Sequence, residues 1–289
     1  MATACALLAA ALFAAALVTT QFGLRHMDAL TGAKVSITSA AVWFWLLFPV
    51  YGFEGWNTPG GGLWVFVLIG LFFPLAVTLL AYEANRRMGP TVAGAIGGTA
   101  PLFALLGAVA FLGEVPGWTQ AGATLAIVAG SIVLSGRRYT ADTGGLAAGQ
   151  SWVAWWVPWL AAALRALAQV AAKAGLLLWP NPYAATTIGY SVSAVLIWLI
   201  AWRSRRAESR VYTRRGVGWF ALTGLFNSTA VLALYTALER GSVNVVSPIV
   251  AAYPLFTLLL NSVILREERL TARLLLGVGL MVAGVAALL

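Results

Sequence analysis

"AYEANRRMGPTVAGAIGGTAPLFALLGAVAFLGEVPGWTQAGATLAIVAGSIVLS", residues 81–135, recurs in altered form as "LYTALERGSVNVVSPIVAAYPLFTLLLNSVILREERLTARLLLGVGLMVAGVAALL", residues 234–289. Laying 82–136 over 235–289, an offset of 153, needs no gap. Tyr82 then meets Tyr235, Arg87 meets Arg240, and Glu114 meets Glu267. Pro101-Leu102-Phe103 lands on Pro254-Leu255-Phe256. Any two alanine- and leucine-rich helices align loosely, but they do not share a tyrosine, a Pro-Leu-Phe triplet and a glutamate in one register. We read the blocks as two copies of one unit.

The repeat sits in a chain with only 27 charged side chains in 289 residues, and these fall between long apolar runs. Residues 1–24, 35–53, 55–82, 88–113, 115–136, 143–164, 174–202, 216–238, 241–265 and 274–289 contain no Lys, Arg, Asp or Glu. A helix crossing a bilayer needs about 20 predominantly apolar residues. A water-soluble core of this size would carry polar helix faces in bulk. The expected fold is therefore all-α and polytopic, with ten transmembrane helices around a central cavity. The spans are 4–24, 33–53, 62–84, 90–112 and 118–136 in a first unit (1–142). A second unit (143–289) holds 151–178, 183–202, 216–238, 242–265 and 270–289. Five spans per unit is odd, so the second copy enters the membrane from the opposite face. Inverted repeats of this kind build many secondary transporters, in which exchanging the conformations of the halves exchanges the open side.

The same pattern excludes other classes. A net charge of +9 and a pI near 10.3 would suggest nucleic acid in a soluble chain. Here no basic run is interleaved with exposed aromatics, and anionic lipid explains the charge. Cys5 is the only cysteine and His26 the only histidine, so neither a disulfide nor a Cys/His metal site is expected. No Gly-rich phosphate loop with Lys-Ser/Thr appears, nor any Ser–His–Asp set. The expectation is a protein without cofactor or enzymatic chemistry, whose partners are a small-molecule substrate and membrane lipid, as a monomer or weak dimer. No positively charged stretch precedes the apolar run Met1–Ala16, so it is read as helix one rather than a cleaved leader.

The paired blocks carry a family resemblance. An aromatic-Ala-Leu-like helix end, a helix with Pro-Leu-Phe at its middle, a Gly/Arg-Glu turn and a Gly-rich final helix resemble the two halves of an EamA-type, ten-helix member of the drug/metabolite transporter superfamily. The likeness covers nearly the whole chain and is weakest in the first two helices of each half. It implies a cavity lined by both halves and cargo such as amino acids and other small metabolites, exported across the inner membrane. It specifies the fold well and the substrate poorly. A lipid-linked substrate flippase is the neighbouring alternative, and a membrane enzyme a more distant one.

Loops after odd-numbered spans carry fifteen basic residues, from Arg25 and Lys34 to Arg266, Arg269 and Arg273; loops after even-numbered spans carry only Arg240. Short basic loops stay cytoplasmic, which places both termini outside. The resemblance implies both termini inside, so the charge pattern departs from it.

Candidate transport residues follow from what is costly in hydrocarbon. On span six, Arg165, Gln169 and Lys173 are spaced by four and share one face. A charge at mid-span faces a cavity or a partner. Arg165 thus either binds an anionic part of the substrate or braces carbonyls, and Lys173 either helps gate the cavity or snorkels. Asn227, which aligns with Pro74, serves as substrate contact or helix clamp. Pro74, Pro101, Pro248 and Pro254 are expected to break helices, because proline leaves a carbonyl of the preceding turn without its donor. Gly94, Gly97, Gly98 and Thr99 precede the second of these, Tyr253 the last. The glycines permit close helix packing, while Tyr253 and Thr99 are placed at the cavity. Trp43, inside span two, is offered as a stacking surface. Tyr82 and Tyr235, at repeat-related helix ends, are either gates or interfacial belt residues. Trp56, Trp64, Trp118, Trp152, Trp155, Trp156 and Trp159 are read as belt. Glu114 and Glu267, with Glu268, are expected to cap the helix that follows each turn. No carboxylate lies at mid-depth, which makes a cationic drug the least supported cargo.

Overall fold

The computed structural model describes residues 1–51, 56, 60–142, 152–203, 212–265 and 272–289. All regular structure among them is helical: α1 (Ala2–Leu24), α2 (Ala29–Tyr51), α3 (Gly62–Phe72), α4 (Leu75–Gly97), α5 (Ala100–Leu112), α6 (Trp118–Asp142), α7 (Trp152–Leu178), α8 (Pro182–Arg203), α9 (Arg214–Arg240), α10 (Val243–Ala251), α11 (Tyr253–Leu265) and α12 (Ala272–Ala286). Seven segments are long and apolar enough to cross a membrane: Ala2–Leu24, Ala29–Tyr51, Gly62–Ala84, Trp156–Leu178, Pro182–Arg203, Arg214–Arg240 and Val243–Leu260. Ala100–Leu112, Trp118–Leu134 and Ala272–Ala286 are shorter apolar helices. Of the ten expected spans, three are thus too short within the described residues to meet that length.

Local chemistry sets several ends. Asp28 Oδ1 accepts from the Thr31 amide at 2.9 Å, Asn181 Oδ1 from Ala184 N at 2.9 Å, and Thr213 Oγ1 from Gly216 N at 3.1 Å. These side chains take up orphan donors at the starts of α2, α8 and α9. Glu114 departs from its expected role. Its Oε2 accepts from the Val243 amide at 2.8 Å, and its carbonyl accepts from Asn244 Nδ2 at 3.0 Å. It therefore caps α10 in the other half, not α6. Gly113, at φ 67°, turns the chain at the end of α5, which packs on α10. At the α6 start, Gln120 Oε1 accepts from Gly117 N at 3.1 Å instead. Glu267 and Glu268 lie outside the described residues. Glu114→Ala should lower the unfolding free energy by about 1 kcal/mol, read as a fall in Tm; an unchanged Tm would remove Glu114 from the cap.

Pro74 separates α3 from α4, as expected. The turn anticipated near Arg86 and Arg87 is absent from the backbone, which stays helical to Gly97; the side chains of Arg86 and Arg87, and the surroundings of Gly94, lie outside the described residues. The helix stops at the Gly97-Gly98 pair ahead of Pro101, where residues that favour or impose a break follow one another. At the break, Thr99 N donates to Ile96 O and Leu102 N to Thr99 O, both at 3.0 Å. The α10–α11 break repeats this pattern: Ala252 N donates to Ile249 O at 3.1 Å and Leu255 N to Ala252 O at 3.0 Å. Pro248, by contrast, lies inside α10 without breaking it.

The helices approach closely through small residues, as expected where lipid removes the hydrophobic drive for association. α1 packs most extensively on α9, α4 on α7, α6 on α12 and α2 on α9; α3 and α2 pack on α8, α5 on α7 and α10, and α1 on α10 and α11. Ala6, Ala9, Ala10 and Ala14 of α1 are fully buried, and Thr223 donates to Thr19 at 2.8 Å across α9 and α1. Between α2 and α8, Phe44, Tyr183 and Tyr190 form an aromatic cluster, and the Tyr183 hydroxyl donates to the Phe44 carbonyl. The outward faces carry exposed Leu46, Trp64, Leu106, Phe111, Leu199 and Leu275, a surface suited to acyl chains. Trp64, Trp118 and Trp156 are exposed as belt residues would be. Trp56 is not: its ring packs edge-on against Phe48 and Trp179 at 5.6 and 5.7 Å. Trp152 and Trp155 have side chains outside the described residues.

Candidate functional site

A cavity of about 150 Å3 lies where α1, α4, α5, α7, α9 and α10 converge. α7 turns Arg165 and Gln169 into it from successive turns of one face, α9 contributes Asn227 and Tyr235, and the α10–α11 break contributes Ser247 and Tyr253. Tyr82, Pro74 and Pro101 complete the lining. Arg165 is the only formally charged side chain among the described lining residues. Its guanidinium offers five donors and no acceptor, so the site presents a positive centre within a largely apolar wall.

Neutral oxygens dominate the rest of the polar lining. The Tyr82 side chain lines the cavity with Thr20 of α1 and Ser36 of α2. Asn227 Nδ2 donates to the Tyr190 hydroxyl at 3.2 Å, so this asparagine both borders the cavity and bridges α9 to α8. Tyr82 and Tyr235 are 9% and 3% exposed. A belt tyrosine keeps its hydroxyl at the water interface, and these two do not. Gly97 faces the cavity rather than a helix seam: a Cβ there would meet only the Tyr253 hydroxyl, at 3.8 Å. Gly70, Gly130, Gly224 and Gly284 are among the glycines that seat helices against one another, where an added Cβ would come within 3.0 Å of a neighbouring helix.

Two residues offered for the cavity, Trp43 and Thr99, lie off its lining, as do the helix-break candidates Pro248 and Pro254 and the gate candidate Lys173. Trp43 is half-buried on α2 and does not line the cavity, because α2 presents Ser36 to it while Phe44 enters the aromatic cluster. Thr99 donates its hydroxyl to the Ile96 carbonyl at 2.6 Å, so it serves the helix break. Pro248 and Pro254 shape α10 and α11 without reaching the lining. Lys173 extends the Arg165–Gln169 face beyond the cavity, where Nζ donates to the Leu238 carbonyl at 2.7 Å and to the Gly241 carbonyl at 3.0 Å. It neutralises the negative end of α9 instead of snorkelling. With Glu114 on α10, it clamps the α9–α10 turn from both sides, next to one end of the cavity.

Sequence reasoning passed over Thr20, Ser36, Thr223 and Tyr190. Isolated hydroxyls in apolar helices usually bond back to their own preceding turn, as Thr20 does to Ala16 O at 2.7 Å, and nothing in the spacing distinguishes those that also face a cavity. Tyr190, at mid-span in α8, is a signal that was available.

The fold has solved counterparts. One, described as "Crystal structure of protein", shares 18% sequence identity with a TM-score of 0.79, covering 99% of this chain and 95% of that one; at that identity the likeness concerns fold alone. In all, 29 solved chains match. No curated protein matches the sequence. The model of the EamA-like transporter family matches residues 1–136 and 151–289. The chain, a multi-pass helical membrane protein whose helices enclose a largely apolar cavity bearing one charged side chain among its described lining residues, belongs to the EamA-like transporter family.

Proposed function

We propose that this protein is a secondary transporter of the cytoplasmic membrane that moves small organic solutes bearing a carboxylate or other anionic group, amino acids among them, by alternating access. The carrying observation is Arg165 as the sole formal charge among the described residues lining the cavity. Burying a guanidinium in an apolar wall is costly unless an anion joins it.

The transport mechanism rests on reading residues 1–142 and 143–289 as inverted five-span repeats. Exchanging the halves converts the α1–α9 packing into α7–α4, α2–α9 into α8–α3, and α5–α7 into α11–α1, all of which occur. The α6–α12 and α2–α8 pairs map onto themselves and occur too. The two helix breaks carry the same pair of backbone bonds at the repeat offset of 153, and the family model matches the two stretches separately. Such a molecule has two conformations of similar energy, related by exchange of its halves.

Orientation follows from loop charge, with both termini outside. Thr20, Ser36 and Thr223 lie toward the helix ends that lead into basic loops, whereas Lys173 and Glu114 clamp the other end. In this conformation the cavity is directed to the cytoplasm. Tyr82 and Tyr235 stand at repeat-related positions on its wall as gate elements.

The test is binding by purified protein to a panel of carboxylates and their neutral amides. Arg165→Ala should weaken carboxylate binding about 10- to 100-fold, from the roughly 1.5–3 kcal/mol of a charge-assisted bond, and leave amide binding within twofold. Equal losses for both ligands, with a fall in Tm, would assign Arg165 a structural role and overturn the anion reading.

A further inference from the structure

Gln169 Oε1 and Ser247 Oγ are buried without a hydrogen-bond partner, in residues only 5% and 2% exposed, and both residues line the cavity. An orphan buried oxygen costs about 1–3 kcal/mol, so two in one small cavity require an explanation. Two backbone carbonyls of the lining have acceptor capacity to spare. Pro101 cannot donate to the Gly97 carbonyl one turn before it, nor Pro254 to the Val250 carbonyl, which keeps only a short-range bond from the Ala252 amide. Gly97 and Val250 are related by the repeat offset, and both line the cavity. They stand at the last turns of α4 and α10, whose carbonyl ends carry the negative pole of the helix dipole.

We propose that Gln169, Ser247 and the Gly97 and Val250 carbonyls form a neutral-oxygen subsite for a monovalent cationic group, occupied together with the anion at Arg165. The cation is either the ammonium of the substrate or an alkali ion; both are held by oxygen acceptors without a carboxylate, as at the broken helices of other transporters. Arg165 lies one helical turn from Gln169 and repels a cation that arrives alone. Once an anion neutralises the guanidinium, the acceptor oxygens become the dominant field. Anion and cation therefore bind interdependently, either within one zwitterion or as an ion pair of solute and alkali metal. This rests on the anion reading of Arg165.

The experiment measures binding to the purified full-length protein of matched pairs, each an α-amino acid and its deaminated carboxylate, with side chains from methyl to indolylmethyl, in choline chloride and in sodium chloride. If the ammonium fills the subsite, at least one amino acid binds about tenfold or more tighter than its deaminated partner in choline. If an alkali ion fills it, sodium tightens the deaminated carboxylate by a similar factor. In either case the preference collapses to within twofold in Gln169→Leu combined with Ser247→Ala. Ser247→Ala removes an orphan hydroxyl and Gln169→Leu a carboxamide whose oxygen lacks a partner, and Tm confirms the fold. Deaminated and amino forms binding equally in choline, with no sodium effect, overturns the subsite while leaving the anion site intact; a preference that survives the double variant overturns it as well. Failure of every carboxylate to bind in either salt instead removes the Arg165 reading, and the subsite with it.

Discussion

Lys173→Met is expected to lower the unfolding free energy by about 3 kcal/mol, because it removes two charge-assisted hydrogen bonds, each contributing roughly 1.5 kcal/mol or more. Nζ donates to Leu238 O and Gly241 O, and methionine keeps the apolar stem but leaves both carbonyls without that donor. The loss is concentrated at the α9–α10 turn. If separation of α7 from this turn opens that end of the cavity, the same energy shifts the conformational equilibrium by about a hundredfold. Cys5 is the only cysteine, so a Cys5→Ala background carrying Ser242→Cys permits a direct measurement. Thiol labelling at residue 242 should accelerate strongly when Lys173→Met is added, together with a lower Tm. A Tm loss with unchanged labelling would make Lys173 a plain C-terminal cap with no part in closure.

Gly224→Ala should cost about 3 kcal/mol, at the upper end of overpacking penalties. A Cβ at this position would lie 2.2 Å from the Ser36 carbonyl oxygen and 2.2 Å from Ser39 Oγ. The first obstacle is backbone, so α9 and α2 must move apart for the methyl to fit. That displacement would also disturb Ser36 and Thr223 on the cavity wall. Gly218, six residues earlier on the same helix, provides the control: a Cβ there meets nothing within 4 Å. Gly218→Ala should stabilise by about 0.5–1 kcal/mol through helix propensity alone. Opposite signs for two glycine-to-alanine changes on α9, read as Tm in the same detergent, check the helix seam. Equal small effects would mean that α2 and α9 are not in close contact.

The charge-free runs were sufficient to locate most of the apolar helices, and helical spacing put Arg165 and Gln169 on one face of α7. Bilayer hydrophobicity and helical periodicity are local properties, written in consecutive residues. The prolines gave breaks at 74, 101 and 254 for the same reason, since a missing amide acts on its own preceding turn. Pro248 produced none, and the predicted turn at Arg86 and Arg87 gave way to a continuous helix.

What only the tertiary structure decided was the destination of each polar group. Lys173 shares a face with Arg165, yet it ends on the carbonyls of α9. Glu114 has the position of a cap for α6 and instead caps α10, from the other half. Thr99 and Trp43 had the right chemistry for a cavity, but one is used by its own helix break and the other lies off the inward face of α2. Asn227 proved to be clamp and lining residue at once. A sequence can state that a buried polar atom must find a partner, because desolvation penalises it wherever it sits. Which partner it finds is set by the contacts between helices distant in the chain, and those contacts are also what leave Gln169 and Ser247 with none.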